Sequence, residues 1–169
     1  MKARIIEKDD VLKIVDLLRE KYDVIAPFLI TGRDTYFDTV TDSNRKDIKL
    51  HLPNPFYPPK RYVFPHIERL MRIKSNNNNI DIIVESDVKP LAIFGIRSCD
   101  LAGIGHLDRF YLGNAYRDCY YEARRKKLFL VNMVCTEVGV DITDDCFCLC
   151  TDTGPAAKEL FDLQLMDLG

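Results

Sequence analysis

The sequence predicts an α/β domain: a mixed, partly parallel sheet with helices on both faces and an amino-terminal helix–hairpin extension. Three observations lead there. Pro90 to Ile96 and Leu128 to Val134 are runs of strand length, apolar on both faces, as expected of strands covered on both sides. Segments of helical periodicity separate those runs. Near the amino terminus, an amphipathic stretch leads into two short alternating segments around the turn Thr31-Gly32-Arg33-Asp34.

Taken in order, residues 9–22 form the first helix. Val11, Ile14, Val15, Leu18 and Tyr22 recur at i, i+3, i+4, i+7 spacing, and Asp9 or Asp10 can cap the start. Asp23 to Ile30 is apolar but interrupted by Pro27, which predicts an edge strand, since proline cannot donate to a ladder. Thr35 to Thr41 is the second arm of the hairpin. Pro53-Asn54-Pro55-Phe56-Tyr57-Pro58-Pro59 predicts an ordered loop laid across the domain. Pro65-His66-Ile67-Glu68 reads as a helix start, with Ile67, Leu70, Met71 and Ile73 inward, and Ser75 to Asn79 as a polar loop. Ile80 to Val84 is a further strand. Asp100 to Leu112 reads as a helix with Leu101, Ile104, Leu107 and Tyr111 on one side. Asp118 to Lys126 reads as a second, charged helix, and Phe161 to Leu168 as the last strand.

At 169 residues the chain is expected to be one domain spanning residues 1–169. A formal net charge of −2 argues against a dedicated nucleic-acid binder, whose phosphate-neutralising face shows as basic excess. No apolar run is long enough to span a membrane, and MKARIIEKDD has no signal-peptide core, so no membrane association and a cytoplasmic location are expected.

In a reducing compartment the six cysteines favour metal binding or catalysis over structural disulfides. Cys99 follows the strand ending at Ile96, and Cys135 follows the strand ending at Val134. If the two strands run parallel in one sheet, both thiols emerge at its carboxyl edge, where open α/β sheets bind ligands. Cys146 and Cys148 stand at i, i+2 and point the same way in extended backbone. Together the four make a four-sulfur site. Sulfur-only sites take zinc or iron–sulfur groups. The chain has neither the C-x₂-C knuckle usual for zinc nor a regular ferredoxin spacing, which favours iron–sulfur and leaves zinc and merely buried thiols as alternatives. Cys119 reads as incidental, and Cys150 as a neighbouring thiol or a substitute ligand. A thiol redox protein using two of Cys146, Cys148 and Cys150 is a further alternative. Other motifs are weaker. Gly103-x-Gly105 falls inside a helix, Asp144-Asp145 reads as a solvated turn, and Cys99 with His106 lie two helical turns apart. Arg124 to Lys127 complements a helix carboxyl end.

A larger set of residues has a family likeness. Pro90-Leu-Ala-Ile-Phe-Gly-Ile-Arg-Ser-Cys-Asp100 is followed by Leu107-Asp108, Tyr120-Tyr121-x₂-Arg124-Arg125 and Val131-Asn132-x₂-Cys135. Then come Cys146-Phe147-Cys148, Gly154-Pro155 and Phe161-Asp162-Leu163, with Phe64-Pro65-x₂-Glu68 upstream. This ordered set resembles the amino-terminal domain of one family of iron–sulfur electron-transfer proteins. The family comprises the electron-transfer subunits of anaerobic sulfite reductase and the beta subunits of sulfhydrogenase-type nickel–iron hydrogenases. The likeness covers most of residues 60–169, while the first 59 match loosely. The resemblance implies one [4Fe-4S] cluster on Cys99, Cys135, Cys146 and Cys148, with Cys150 outside the ligand set. It also implies a non-catalytic electron relay in a multi-subunit anaerobic oxidoreductase, with a ferredoxin-like or flavin-containing redox subunit on one side and a catalytic subunit on the other. Arg97, Ser98 and Asp100 flank a ligand and are candidates to tune the cluster. Family members continue into a ferredoxin-like module with two C-x₂-C-x₂-C-x₃-C runs. This chain has none, so a truncated, split or stand-alone relative is expected.

Overall fold

The computed structural model describes residues 3–31, 34–51, 55–76, 79–84, 88–136 and 146–169. The chain runs through helix α1 (Val11–Arg19), the hairpin β1 (Asp23–Leu29) and β2 (Thr35–Thr39), and a separate pair, β3 (Met71–Asn76) and β4 (Asn79–Val84). There follow β5 (Leu91–Ile96), α2 (Ser98–Leu112), α3 (Cys119–Lys126), β6 (Leu128–Met133) and β7 (Leu163–Leu165). Five strands form the main sheet in the order β2-β1-β5-β6-β7. β1/β5, β5/β6 and β6/β7 are parallel, and the hairpin pair β1/β2 is antiparallel. The expected mixed α/β architecture is what is found.

Strand periodicity sends alternate residues to opposite faces. Val24, Ala26 and Phe28 of β1, with Ala92 and Phe94 of β5, pack against Val15 and Leu18 of α1. Ile25 and Ile93 face the other way, onto Leu101 and Ile104 of α2 and Tyr121 of α3. Each such large apolar side chain contributes about 1.5–3 kcal/mol by leaving water. The two apolar faces of β5 therefore demand helices on both sides. α3 begins at Asp118, whose side chain accepts the Tyr121 backbone N–H at 2.8 Å. Its Tyr121 hydroxyl donates to Asp108 of α2 at 2.6 Å, and Arg125 holds the same carboxylate.

Gly95 breaks the regularity of β5. Its φ is +83°, and a Cβ there would come within 2.8 Å of Leu50 and 3.3 Å of Pro27. The register of β5 on β6 shifts between Phe94 and Ile96. Phe94 accordingly faces α1, whereas Ile96, two residues on, faces α2. The same bulge explains Pro27. The sequence predicts an edge strand there, yet β1 lies inside the sheet and β2 forms the edge. Pairing of β1 with β5 reaches only Ile25 and Ile93, so the proline has no neighbour waiting for its missing N–H.

Residues 63–70 correct a second expectation. They are not helical, and Met71 and Ile73 belong to β3, which pairs antiparallel with β4. Ile80 to Val84 is the expected strand, and it lies in this second sheet. Residues 71, 73, 80, 82 and 84 alternate with period two, and their side chains are exposed, as is Ile67. Segment 63–70 is instead held by α3: Arg124 donates to the Val63 carbonyl at 2.8 Å and ion-pairs with Glu68, and Tyr120 donates to the Leu70 carbonyl. The proline–aromatic loop does lie along the domain, with Phe56 N–H bonded to the Thr35 carbonyl at the edge strand. Leu52, Pro53 and Asn54, like the acidic stretch 141–145, lie outside the described residues. Among the described residues, no helix is long and apolar enough to cross a membrane.

Candidate metal centre

The parallel neighbours β5 and β6 end side by side, and each delivers a thiol. Beyond Ile96, Arg97 is in extended conformation as the N-cap of α2, so Cys99 sits in the first helical turn. The helix expected from Asp100 thus starts two residues earlier, at Ser98. The strand expected to reach Val134 ends at Met133, so Cys135 lies two residues past it.

The third component arrives from residues 146–155. Main-chain bonds fold this segment on itself: Thr151 N–H to the Phe147 carbonyl at 3.0 Å and Thr153 N–H to the Cys148 carbonyl at 2.9 Å. Its Gly154-Pro155 turn then docks on the sheet edge. The Pro155 carbonyl accepts both the Ser98 hydroxyl, at 2.7 Å, and the Cys135 N–H, at 3.3 Å. One oxygen thus ties the start of α2 to the end of β6. Gly154 is pressed between Cys148 and Ser98, since a Cβ there would meet the Cys148 Cβ at 3.1 Å, its Sγ at 3.4 Å and the Ser98 Cβ at 3.5 Å. Any larger residue would force Cys148 or the turn itself to shift.

Electrostatics show the same gathering. Burial pushes the Cys99 thiol up to about 11; the charges of Asp100, Cys135 and Cys148 push the same way, and the Asp100 backbone N–H opposes them. Cys99 keeps some open surface at the helix start, yet enough protein surrounds its sulfur for burial to dominate. Cys135 is also raised, by burial first, against the lowering pull of Arg97, and Cys148, Cys146 and Asp100 add to the rise. Cys99 thus feels Cys135 and Cys148, and Cys135 feels Cys148 and Cys146. Cys119 is exposed on α3, away at the start of that helix, and Cys150 is exposed on the 146–155 fold. His106 is on the outer side of α2, where its Nδ1 lies 3.0 Å from the Arg109 guanidinium.

The three flanking candidates differ. Arg97 and Ser98 are buried, at 3% exposure each, whereas Asp100 is half-buried. The Arg97 guanidinium donates to the Leu50 carbonyl at 2.6 Å. Burial lowers its pKa, while the charges of Cys135, Cys99 and Asp100 pull it back up. Burial lifts the Asp100 carboxyl to about 6, against the opposing charges of Lys60 and Arg97. Sequence reasoning missed Asn132, which is wholly buried in β6. Its Nδ2 donates to the Ile96 carbonyl at 2.9 Å and to Ser98 Oγ at 3.3 Å. Among the described residues its Oδ1 has no hydrogen-bond partner. The signal was available: one amide in an otherwise apolar strand has to be satisfied by something specific.

Among the described residues, no three His, Cys, Asp or Glu side chains are grouped tightly enough to hold a metal ion. Cys99 and Cys135 follow adjacent parallel strands, and the segment that bears Cys146 and Cys148 docks on the same sheet edge. Their chemistry is nevertheless uniform: soft sulfur donors without histidine, which suits an iron–sulfur group or zinc. The raised pKa values of Cys99 and Cys135 also set them apart from reactive redox cysteines, whose thiolates are stabilised by an electropositive setting.

Among curated proteins, the chain is similar to the sulfhydrogenase 2 subunit beta of Pyrococcus furiosus, with 32% identity over 123 residues. The match takes in 72% of this chain and 33% of the relative, so the chain corresponds to about a third of that protein's length. No family model matches the chain. No solved structure matches it either.

Proposed function

From the premise that this chain belongs to the sulfhydrogenase beta-subunit family, we propose that it is an electron-transfer subunit or domain carrying one [4Fe-4S] cluster within a hydrogenase-type oxidoreductase complex. Cys99, Cys135, Cys146 and Cys148 would hold the cluster. The observation that supports this reading is the docking of the Gly154-Pro155 turn on the ends of β5 and β6, with Cys148 packed on Gly154 opposite Ser98 and the Pro155 carbonyl bonded to Cys135. A bound cluster supplies one-electron redox chemistry at a potential set by charge, hydrogen bonds and exposure.

The chain's own residues do the rest. Ser98 and the Pro155 carbonyl fix the start of α2 against the end of β6, so Cys99 and Cys135 keep their separation. Gly154 admits Cys148 to the same edge. Burial holds protons on Cys99 and Cys135 in the metal-free state, and uptake of a metal group would release them. A ferredoxin-like or flavin-containing subunit on one side and a catalytic subunit on the other would complete the electron path. The matched relative is a sulfhydrogenase subunit, which makes the hydrogenase type the better-supported of the two complexes.

The test is iron, sulfide and zinc analysis of protein purified without oxygen, with absorption and electron paramagnetic resonance spectra before and after reduction. About four iron and four sulfide per chain, with visible sulfur-to-iron charge-transfer bands, are expected. Colourless protein with one zinc would replace this reading with a structural zinc module. Metal-free protein with a titratable dithiol would replace it with a thiol redox protein. Cys148→Ser should lose the iron and Cys119→Ser should keep it. Equal loss from both would break the ligand assignment.

A further inference from the structure

We propose that Arg97 is a fixed buried positive charge that raises the reduction potential of the cluster, an inference that rests on the cluster reading above. Arg97 occupies the single residue between β5 and α2, two positions before Cys99 and at the strand end adjacent to that of Cys135. It is 3% exposed. The main chain holds it: its guanidinium donates to the Leu50 carbonyl at 2.6 Å, and Leu50 in turn packs over Gly95 at the bulge. Cys99 and Asp100 follow it in the first turn of α2, and the adjacent strand end leads to Cys135.

Reducing an iron–sulfur cluster adds one negative charge. A cation held close by in a poorly screened setting stabilises that reduced state more than the oxidised one, which moves the potential in the positive direction. The residue type matters. A guanidinium keeps its proton even when buried, whereas a buried ammonium is readily neutralised. Arg97 is buried at the junction of β5 with the helix that carries Cys99, beside the strand end that leads to Cys135, which is where a charge acting on what the thiols bind would have to sit.

The experiment is an anaerobic redox titration of the iron-loaded chain, followed by electron paramagnetic resonance, for the wild type, Arg97→Gln and Arg97→Lys. Iron content is measured in every sample. Arg97→Gln, which keeps a donor but loses the charge, should retain iron and shift the midpoint to more negative potential. Arg97→Lys, whose buried ammonium is readily neutralised, should lie between the wild type and Arg97→Gln or match Arg97→Gln. An unchanged midpoint in iron-replete Arg97→Gln overturns the proposal, and so does a shift in Arg97→Lys larger than that in Arg97→Gln. If both variants lose iron while Cys119→Ser keeps it, Arg97 is a structural support and the proposal also fails. Wild-type protein without iron would instead remove the cluster reading itself.

Discussion

Asn132 is the residue on which the two strand ends depend. A buried amide inside an apolar strand is tolerated because its two donor bonds fall on the Ile96 carbonyl, at the last residue of β5, and on Ser98 Oγ, at the first of α2. Ser98 then passes the linkage to the Pro155 carbonyl. Asn132→Leu, of similar size, leaves Ile96 and Ser98 short of a donor without opening a cavity. We expect it to destabilise the fold by about 1–3 kcal/mol, the cost of unsatisfied buried groups, and to speed iron loss. Tyr121→Phe should cost a comparable amount in urea, because it strips the hydroxyl from Asp108, but should leave iron retention unchanged. Equal effects of both substitutions on iron retention would show that Asn132 acts only through overall stability.

At the level of elements, the sequence was most readable where periodicity met burial. The inward residues of α1 and α2, the runs that became β5 and β6, and the placement of Cys135 were all visible in apolar spacing. Three features were not. The β3–β4 pair was hidden because Ile67, Leu70 and Met71 mimic a helical stripe, although none of them is buried. The interior place of β1 was hidden because Pro27 normally marks an edge. Both Pro27 and the turn of Ile96 toward α2 depend on Gly95, whose positive φ cannot be read from a lone glycine in an apolar run. Gly95→Ala tests this element directly. The added methyl meets Leu50 and forces an unfavourable φ, so a loss of about 1–3 kcal/mol is expected. Because the bulge aims Arg97 and Cys99, iron incorporation should fall as well. Gly103→Ala, on α2 with open space around the added carbon, should be neutral or slightly stabilising in the same denaturation experiment.

On the scale of the whole molecule, the site joins three stretches distant in sequence: the β5–α2 junction, the end of β6 and the fold of residues 146–155. On the proposed reading, stability and metal binding are coupled, and pH would reveal the coupling. The Cys99 thiol rises from 9.0 to about 11 on folding, and Cys135 also rises. Between those values the folded metal-free chain binds more protons than the unfolded one, so its stability falls as pH increases. The contribution is fully present below about pH 9 and is lost through about pH 11. Urea unfolding of the metal-free chain at a series of pH values should show this decline, and Cys99→Ser should remove part of it. Rising pH should have the opposite effect on iron uptake, because the thiols must lose their protons to become ligands. A metal-free chain whose stability rose through this window, or whose decline was identical in Cys99→Ser, would mean that Cys99 is not held protonated by the fold. The two trends, measured on one preparation, separate the cost of burying thiols from the gain of binding through them.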